Sequence, residues 1–124
     1  MRKLESLFTA RVTREMRMCN AMVYPIIACE QTPAGYPDRV VWHSYWQGWI
    51  EFKAQTTKLE PHQVKVIREL NKRRPGSAVV VREWEGGMIR IENEDGRLLG
   101  EVNDGKELVR WLGRYRDDSA VRIV

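Results

Sequence analysis

Asp38, Glu51 and Lys53 are the residues of this 124-residue chain whose types and spacing best suit bond-breaking chemistry. Glu51 and Lys53 stand two apart, which on a β-strand points both to one face while Ile50 and Phe52 point to the other. Residues 38–43 (DRVVWH) and 49–54 (WIEFKA) read as two strands around a short connection ending in Gly48, the pattern of a β-hairpin. With the turn centred near residues 45–46, antiparallel partners have numbers summing to about 91. Asp38 then lies opposite Lys53, with Glu51 one same-face step away. Burying two carboxylates together is unfavourable unless positive charge compensates them. A divalent cation does this well, and Mg²⁺ accepts one or two carboxylates together with waters and phosphate oxygens. Such a cation lowers the pKa of a water and stabilises charge on a phosphodiester in the transition state. Lys53 beside it would orient that water or neutralise the phosphate. The Glu-x-Lys spacing is not specific by itself, since 12 Glu and 6 Lys in 124 residues yield roughly 0.6 such pairs by chance. The competing structural reading is an exposed charge ladder, with Asp38 capping a turn after Pro37.

The elements that must position these residues follow from periodicity. Residues 3–18 hold good helix formers, no Gly or Pro, and Phe8, Val12, Met16 and Cys19 at helical spacing. Residues 21–29 (AMVYPIIAC) look like a strand, and Pro25 argues for an edge position or a bulge. The loop QTPAGYP leads into the hairpin. Residues 61–73 carry the clearest helix signals: Pro61 suits the first position, and Gln63, Val66, Ile67 and Leu70 share one face. Pro75-Gly76 stops that helix, SAVVV (77–81) is a buried-strand candidate, and 88–92 with 97–102 flank a second hairpin signal, Glu94-Asp95-Gly96. Lys106 to Tyr115 form a short amphipathic helix. The order implies an α/β sandwich on a mixed sheet, with a crossover between 49–54 and 77–81.

Length supports a single domain, residues 1–124. No apolar run approaches the ~20 residues of a membrane helix, and MRKLESLF lacks the marks of a signal peptide. Two cysteines, Cys19 and Cys29, make no disulfide framework, and two histidines make zinc hard to hold. The expectation is a reduced, cytoplasmic protein without a membrane partner. The net charge of +4 is modest but unevenly placed. Residues 1–18 hold five basic and two acidic side chains, residues 58–74 six and two, and residues 83–107 eight acidic against three basic. Taken alone, such runs suit solvated helix faces and an acidic hairpin.

The ordered set Gly35-Tyr36-Pro37-Asp38, Ile50-Glu51-Phe52-Lys53 and helix-borne Gln63 resembles the PD-(D/E)xK nuclease superfamily. The likeness spans residues 3–82 and is nearest to the small stand-alone virus-type replication-repair nuclease (VRR-NUC) domains of phages and bacteria. It implies a restriction-endonuclease-like αβββαβ core, a mixed sheet flanked by helices, here followed by a hairpin and a helix. It also implies that Asp38 and Glu51 bind Mg²⁺ or Mn²⁺, that Lys53 is the catalytic lysine, and that Gln63 sits beside the site. Many members add a first-helix Glu to the metal. Glu5 fits that role by its distance from Pro37-Asp38, with Glu15 as its rival and an exposed helix Glu as the structural alternative. Glu60 departs from the small capping Ser frequent before this helix, which weakens the cap and leaves the chemistry alone.

The expectation is a Mg²⁺-dependent DNA endonuclease; the resemblance further implies selectivity for Holliday junctions or other branched DNA, a homodimer, and a bacterial cell or phage-infected host. The alternatives are a nicking or non-specific nuclease, or a catalytically idle DNA-binding module. Lys58, Lys65, Lys72, Arg73 and Arg74, with Arg2, Lys3, Arg11 and Arg14, are the expected phosphate contacts. Trp42 and Trp49 read as packing residues, and Trp46 at the hairpin tip either as a further structural residue or as one that stacks on a base or joins a dimer contact. His43 and His62 have neither zinc nor nucleophile–base spacing. Gly86-Gly87 is a turn with no following lysine and helix, so no nucleotide cofactor is expected.

Overall fold

The alternation seen in the hairpin extends across a six-stranded sheet in the computed structural model, which describes the backbone of residues 6–26 and 35–123 and side chains as far as Tyr115. The strands are β1 (Met22–Pro25), β2 (Arg39–Trp42), β3 (Gln47–Lys53), β4 (Ala78–Glu83), β5 (Ile89–Glu92) and β6 (Leu98–Val102). They lie in sequence order, and only β3 and β4 are parallel. The helix α2 (Pro61–Arg73) makes the crossover between those two strands. Pro25, which cannot donate to a ladder, sits on the edge strand β1, as its chemistry requires.

One face of the sheet is covered by α1 (Leu7–Arg17) and α3 (Gly105–Ile123). Ser6 caps α1 by accepting the Thr9 amide at 3.1 Å. Phe8, Val12 and Met16 then pack with Leu108, Val109 and Leu112 onto Val23, Val41, Ile50, Phe52, Val79, Val81, Ile89 and Ile91. The other face has a smaller core, in which Ile67 of α2 meets Ala78 and Val80 beside Trp49, Leu59 and Leu70.

Four expectations change. The β2–β3 ladder pairs Arg39 with Ile50 and Trp42 with Gln47, so partner numbers sum to 89. A four-residue turn closes through reciprocal backbone bonds between His43 and Trp46, moving the turn centre back by one residue. Faces are preserved, but the position opposite Asp38 belongs to Glu51 and not Lys53. Trp46 is 1% exposed and its indole N–H donates to the Gly76 carbonyl at 2.9 Å, so it is a core residue. Gly48 makes room for it, since a Cβ there would lie 2.8 Å from the Trp46 ring and 2.0 Å from the Ser77 carbonyl oxygen. Trp42 in contrast is 62% exposed on β2. Finally, α3 begins at Gly105 and its backbone runs on to Ile123, well past Tyr115. Among the described residues, no helix is long and apolar enough to cross a membrane.

Candidate active site

Asp38 precedes β2 by one residue, and Glu51 and Lys53 close β3 on the face that α2 covers. Asp38 is hydrogen-bonded to two successive residues of β3, Glu51 and Phe52. The Asp38 amide donates to Glu51 Oε1 at 3.1 Å, and Asp38 Oδ2 accepts the Phe52 amide at 3.0 Å. Lys53 Nζ lies 3.5 Å from Glu51 Oε2. Gln63, in the first turn of α2, donates from Nε2 to the same oxygen at 3.2 Å. Its own Oε1 accepts the Glu60 amide at 2.9 Å. That backbone bond leaves the Gln63 amide one orientation, with NH₂ towards Glu51, because the oxygen must face a donor. Gln63 thus caps its helix and reaches the site with a single side chain.

Glu51 is 3% exposed. Burial pushes its carboxyl up to about 7, and the neighbouring Asp38 adds to the rise; the Lys53 ammonium and its hydrogen bond oppose both. Two carboxylates held together with one of them resisting ionisation form a site that added positive charge would relieve. The donor set suits Mg²⁺ or Mn²⁺, hard cations that bind through one or two carboxylates and keep several waters. Asp38 and Glu51 are the residues that would hold the ion. Among the described residues, no group of three or more His, Cys, Asp or Glu side chains is placed to bind a metal.

The first-helix carboxylates divide differently. Glu5 lies outside the described residues, as do Arg2 and Lys3. Glu15 is committed elsewhere: its Oε1 accepts the Gly105 amide at 2.9 Å, serving the start of α3, and lies 3.9 Å from Arg11 Nε. Arg11 is likewise engaged within the fold, donating to the Gly87 carbonyl at 2.9 Å and lying over the Phe8 ring. It therefore ties α1 to the β4–β5 connection and is a poor phosphate contact. Arg14 is exposed on α1. On the site's own face, Lys58 and Lys65 are exposed, whereas Lys72 and Arg73 pair with Glu69, and Arg74 donates to Gln47. Lys65, Arg73 and His62 line an open groove of about 570 Å³ along α2, together with Tyr36, Val66, Glu69 and Leu70. His62 stands 3.2 Å from Glu60 at the helix start. The acidic hairpin docks onto α2 through Arg68, which lies 2.8 Å from Asp95 and 3.8 Å from Glu94.

Sequence reasoning missed the half-buried Arg82 and the buried Glu92, 2.9 Å apart beside the cluster. The run AVVVRE signals only that a strand turns polar at its end. That Arg82 neighbours Lys53 depends on the parallel β3–β4 register, which no local pattern encodes.

Neither a protein-family model nor a curated protein sequence matches the chain. Its fold is the α/β, restriction-endonuclease-like architecture of a mixed six-stranded sheet flanked by helices. Among solved structures it is similar to Hjc, a Holliday junction resolvase from the archaeal hyperthermophile Archaeoglobus fulgidus. The TM-score is 0.53 at 12% identity, over 79% of this chain and 87% of that one. At this identity the likeness is one of fold.

Proposed function

We propose that the protein is a divalent-metal-dependent DNA endonuclease of the PD-(D/E)xK type, selective for branched DNA and active as a homodimer. The observation that carries this reading is Glu51, buried against Asp38 and contacted by both Lys53 and Gln63. A purely structural role would favour apolar residues at such a position, and a passive DNA binder has no use for clustered carboxylates that repel phosphate. The similarity in fold to a Holliday junction resolvase supports the choice of branched DNA.

In this mechanism Asp38 and Glu51 hold the cation, which when bound supplies positive charge to the phosphodiester and lowers the pKa of a water. Gln63 fixes the Glu51 carboxylate through one hydrogen bond and so limits its rotamers. Lys53 keeps its ammonium at the cluster's rim and contributes charge to the phosphate as water attacks in line and the leaving oxygen departs. Lys58 and Lys65, exposed on the same side, contact flanking phosphates without reading sequence. The test is incubation with four-way junction, flap, duplex and single-stranded DNA in Mg²⁺, Mn²⁺ or EDTA. Metal-dependent cleavage of the junction above the others is expected. Absence of cleavage of every substrate, with wild type and Asp38→Ala binding DNA alike, refutes the enzyme. Light scattering on the native protein tests the dimer, and a monomer argues against paired incision.

A further inference from the structure

We infer that Arg82, held by Glu92, is a positioning residue that fixes Lys53 and the connection leading from it to Gln63. This rests on the nuclease reading for its catalytic consequence, although the clamp itself can be tested without it. Arg82 is the residue of β4 paired with Lys53 in the parallel ladder, so the two side chains leave the same face of the sheet. The Arg82 side chain is only 11% exposed. Its Nε donates to Glu92 Oε1 at 2.9 Å. The two protons of Nη1 then serve two backbone carbonyls, those of Ala54 at 2.7 Å and Thr57 at 2.6 Å.

Those carbonyls belong to the residue that follows Lys53 and to the far side of the turn it opens; the Thr57 amide also bonds back to the Ala54 carbonyl. The chain from this turn runs directly to Glu60 and Gln63. Both side chains that touch Glu51 Oε2 therefore flank a segment gripped by one guanidinium. An ion pair whose side chains are only 11% and 8% exposed carries a desolvation cost that apolar residues of similar volume would avoid, so its presence is not explained by stability alone. Only Arg offers a planar fork that can engage a carboxylate and two carbonyls together. Glu92 also neutralises Arg82, so the guanidinium adds no uncompensated positive charge beside Lys53. Each feature serves the placement of the ammonium.

The experiment uses the full chain and three forms: wild type, Arg82→Lys, and the double variant R82M/E92M. The double variant replaces the pair with apolar side chains and keeps the fold without leaving Glu92 buried alone. Single-turnover cleavage of a junction, DNA affinity in Ca²⁺, thermal midpoint and amide hydrogen exchange over residues 53–60 are measured. Misplacement of a reacting group by an ångström is worth up to about 10²-fold in rate. The cleavage rate of the double variant is expected to fall about 10- to 100-fold. Its DNA affinity and thermal midpoint should stay near wild type, and exchange over 54–57 should rise. Arg82→Lys should preserve the midpoint yet not restore the rate. Wild-type rates in either variant overturn the proposal, as does a parallel fall of rate, affinity and midpoint. If wild type itself cleaves nothing, the nuclease reading fails separately. Exchange over 54–57 then decides the clamp: a rise in the double variant upholds it and no change refutes it.

Discussion

The two faces of the sheet are made by the same strands and are chemically unlike. Along β3, Ile50 and Phe52 enter the large core under α1 and α3, while Glu51 and Lys53 enter the face beneath α2. The first face is almost wholly apolar. The second has three core residues, Ile67, Ala78 and Val80, and beyond them the buried Glu51 and the pair Arg82–Glu92. One face supplies the free energy of folding through apolar burial. The other can then hold carboxylates that oppose folding, because the first outweighs them. Adjacent residues on one strand should accordingly fail in different ways when changed.

The largest expected effect is on chemistry alone. Lys53→Ala should reduce cleavage by about 10²–10³-fold, the loss typical of a preorganised charge-stabilising group, with little change in DNA affinity or thermal midpoint. Single-turnover kinetics beside a binding titration check this, and unchanged cleavage refutes the role given to Lys53. Its neighbour on the opposite face should do the converse. Ile50 is fully buried, and Ile50→Ala should cost about 2–5 kcal/mol in urea unfolding. The folded fraction should retain its specific activity.

The third test concerns pH. Glu51, raised from 4.5 to about 7, binds a proton more tightly in the folded state than in the unfolded chain. Metal-free stability should therefore fall as pH rises between those values, by about 3 kcal/mol across the full window. Thermal midpoints in EDTA from pH 5 to 8 measure it, and Glu51→Gln should flatten the slope. On the proposed reading, Mg²⁺ binding below pH 7 would displace that proton, so its apparent affinity should weaken by about tenfold per pH unit. A pH-independent affinity would remove Glu51 from the metal site.

Smaller effects sharpen the contrast. Gln63→Ala frees the Glu60 amide and leaves Glu51 Oε2 to Lys53 alone, and should cost about 1 kcal/mol in stability with a fall in cleavage of similar energetic size. Lys65→Ala should leave stability unchanged and lower the dependence of log affinity on log salt by about 0.9 if Lys65 meets one phosphate. The same change at Arg11, whose guanidinium is spent on Gly87, should leave the salt slope alone and lower the midpoint instead.

Local signals account for much of the architecture. Pro61 and the helical face of Gln63, Val66, Ile67 and Leu70 mark α2 with the bounds it has, since capping and periodicity are written within a few residues. Strand alternation separates Glu51 and Lys53 from Ile50 and Phe52 for the same reason. Pro25 announces an edge strand because it lacks a donor. The residue types of the cluster, Asp38, Glu51, Lys53 and Gln63, are equally legible.

What tertiary structure decided are the relations between distant segments. A shift of one residue in the turn centre put Glu51, not Lys53, across from Asp38, where each carboxylate accepts a backbone amide from the other's segment, Glu51 that of Asp38 and Asp38 that of Phe52. Contact with Gly76 made Trp46, at the hairpin turn, part of the core. The packing of α1 against α3 drew Glu15 to the Gly105 amide. Parallel pairing of β3 with β4 placed Arg82 beside Lys53. Short-range propensity selects elements and faces, whereas register and partner choice depend on closing the whole core, and no window of the sequence contains that information.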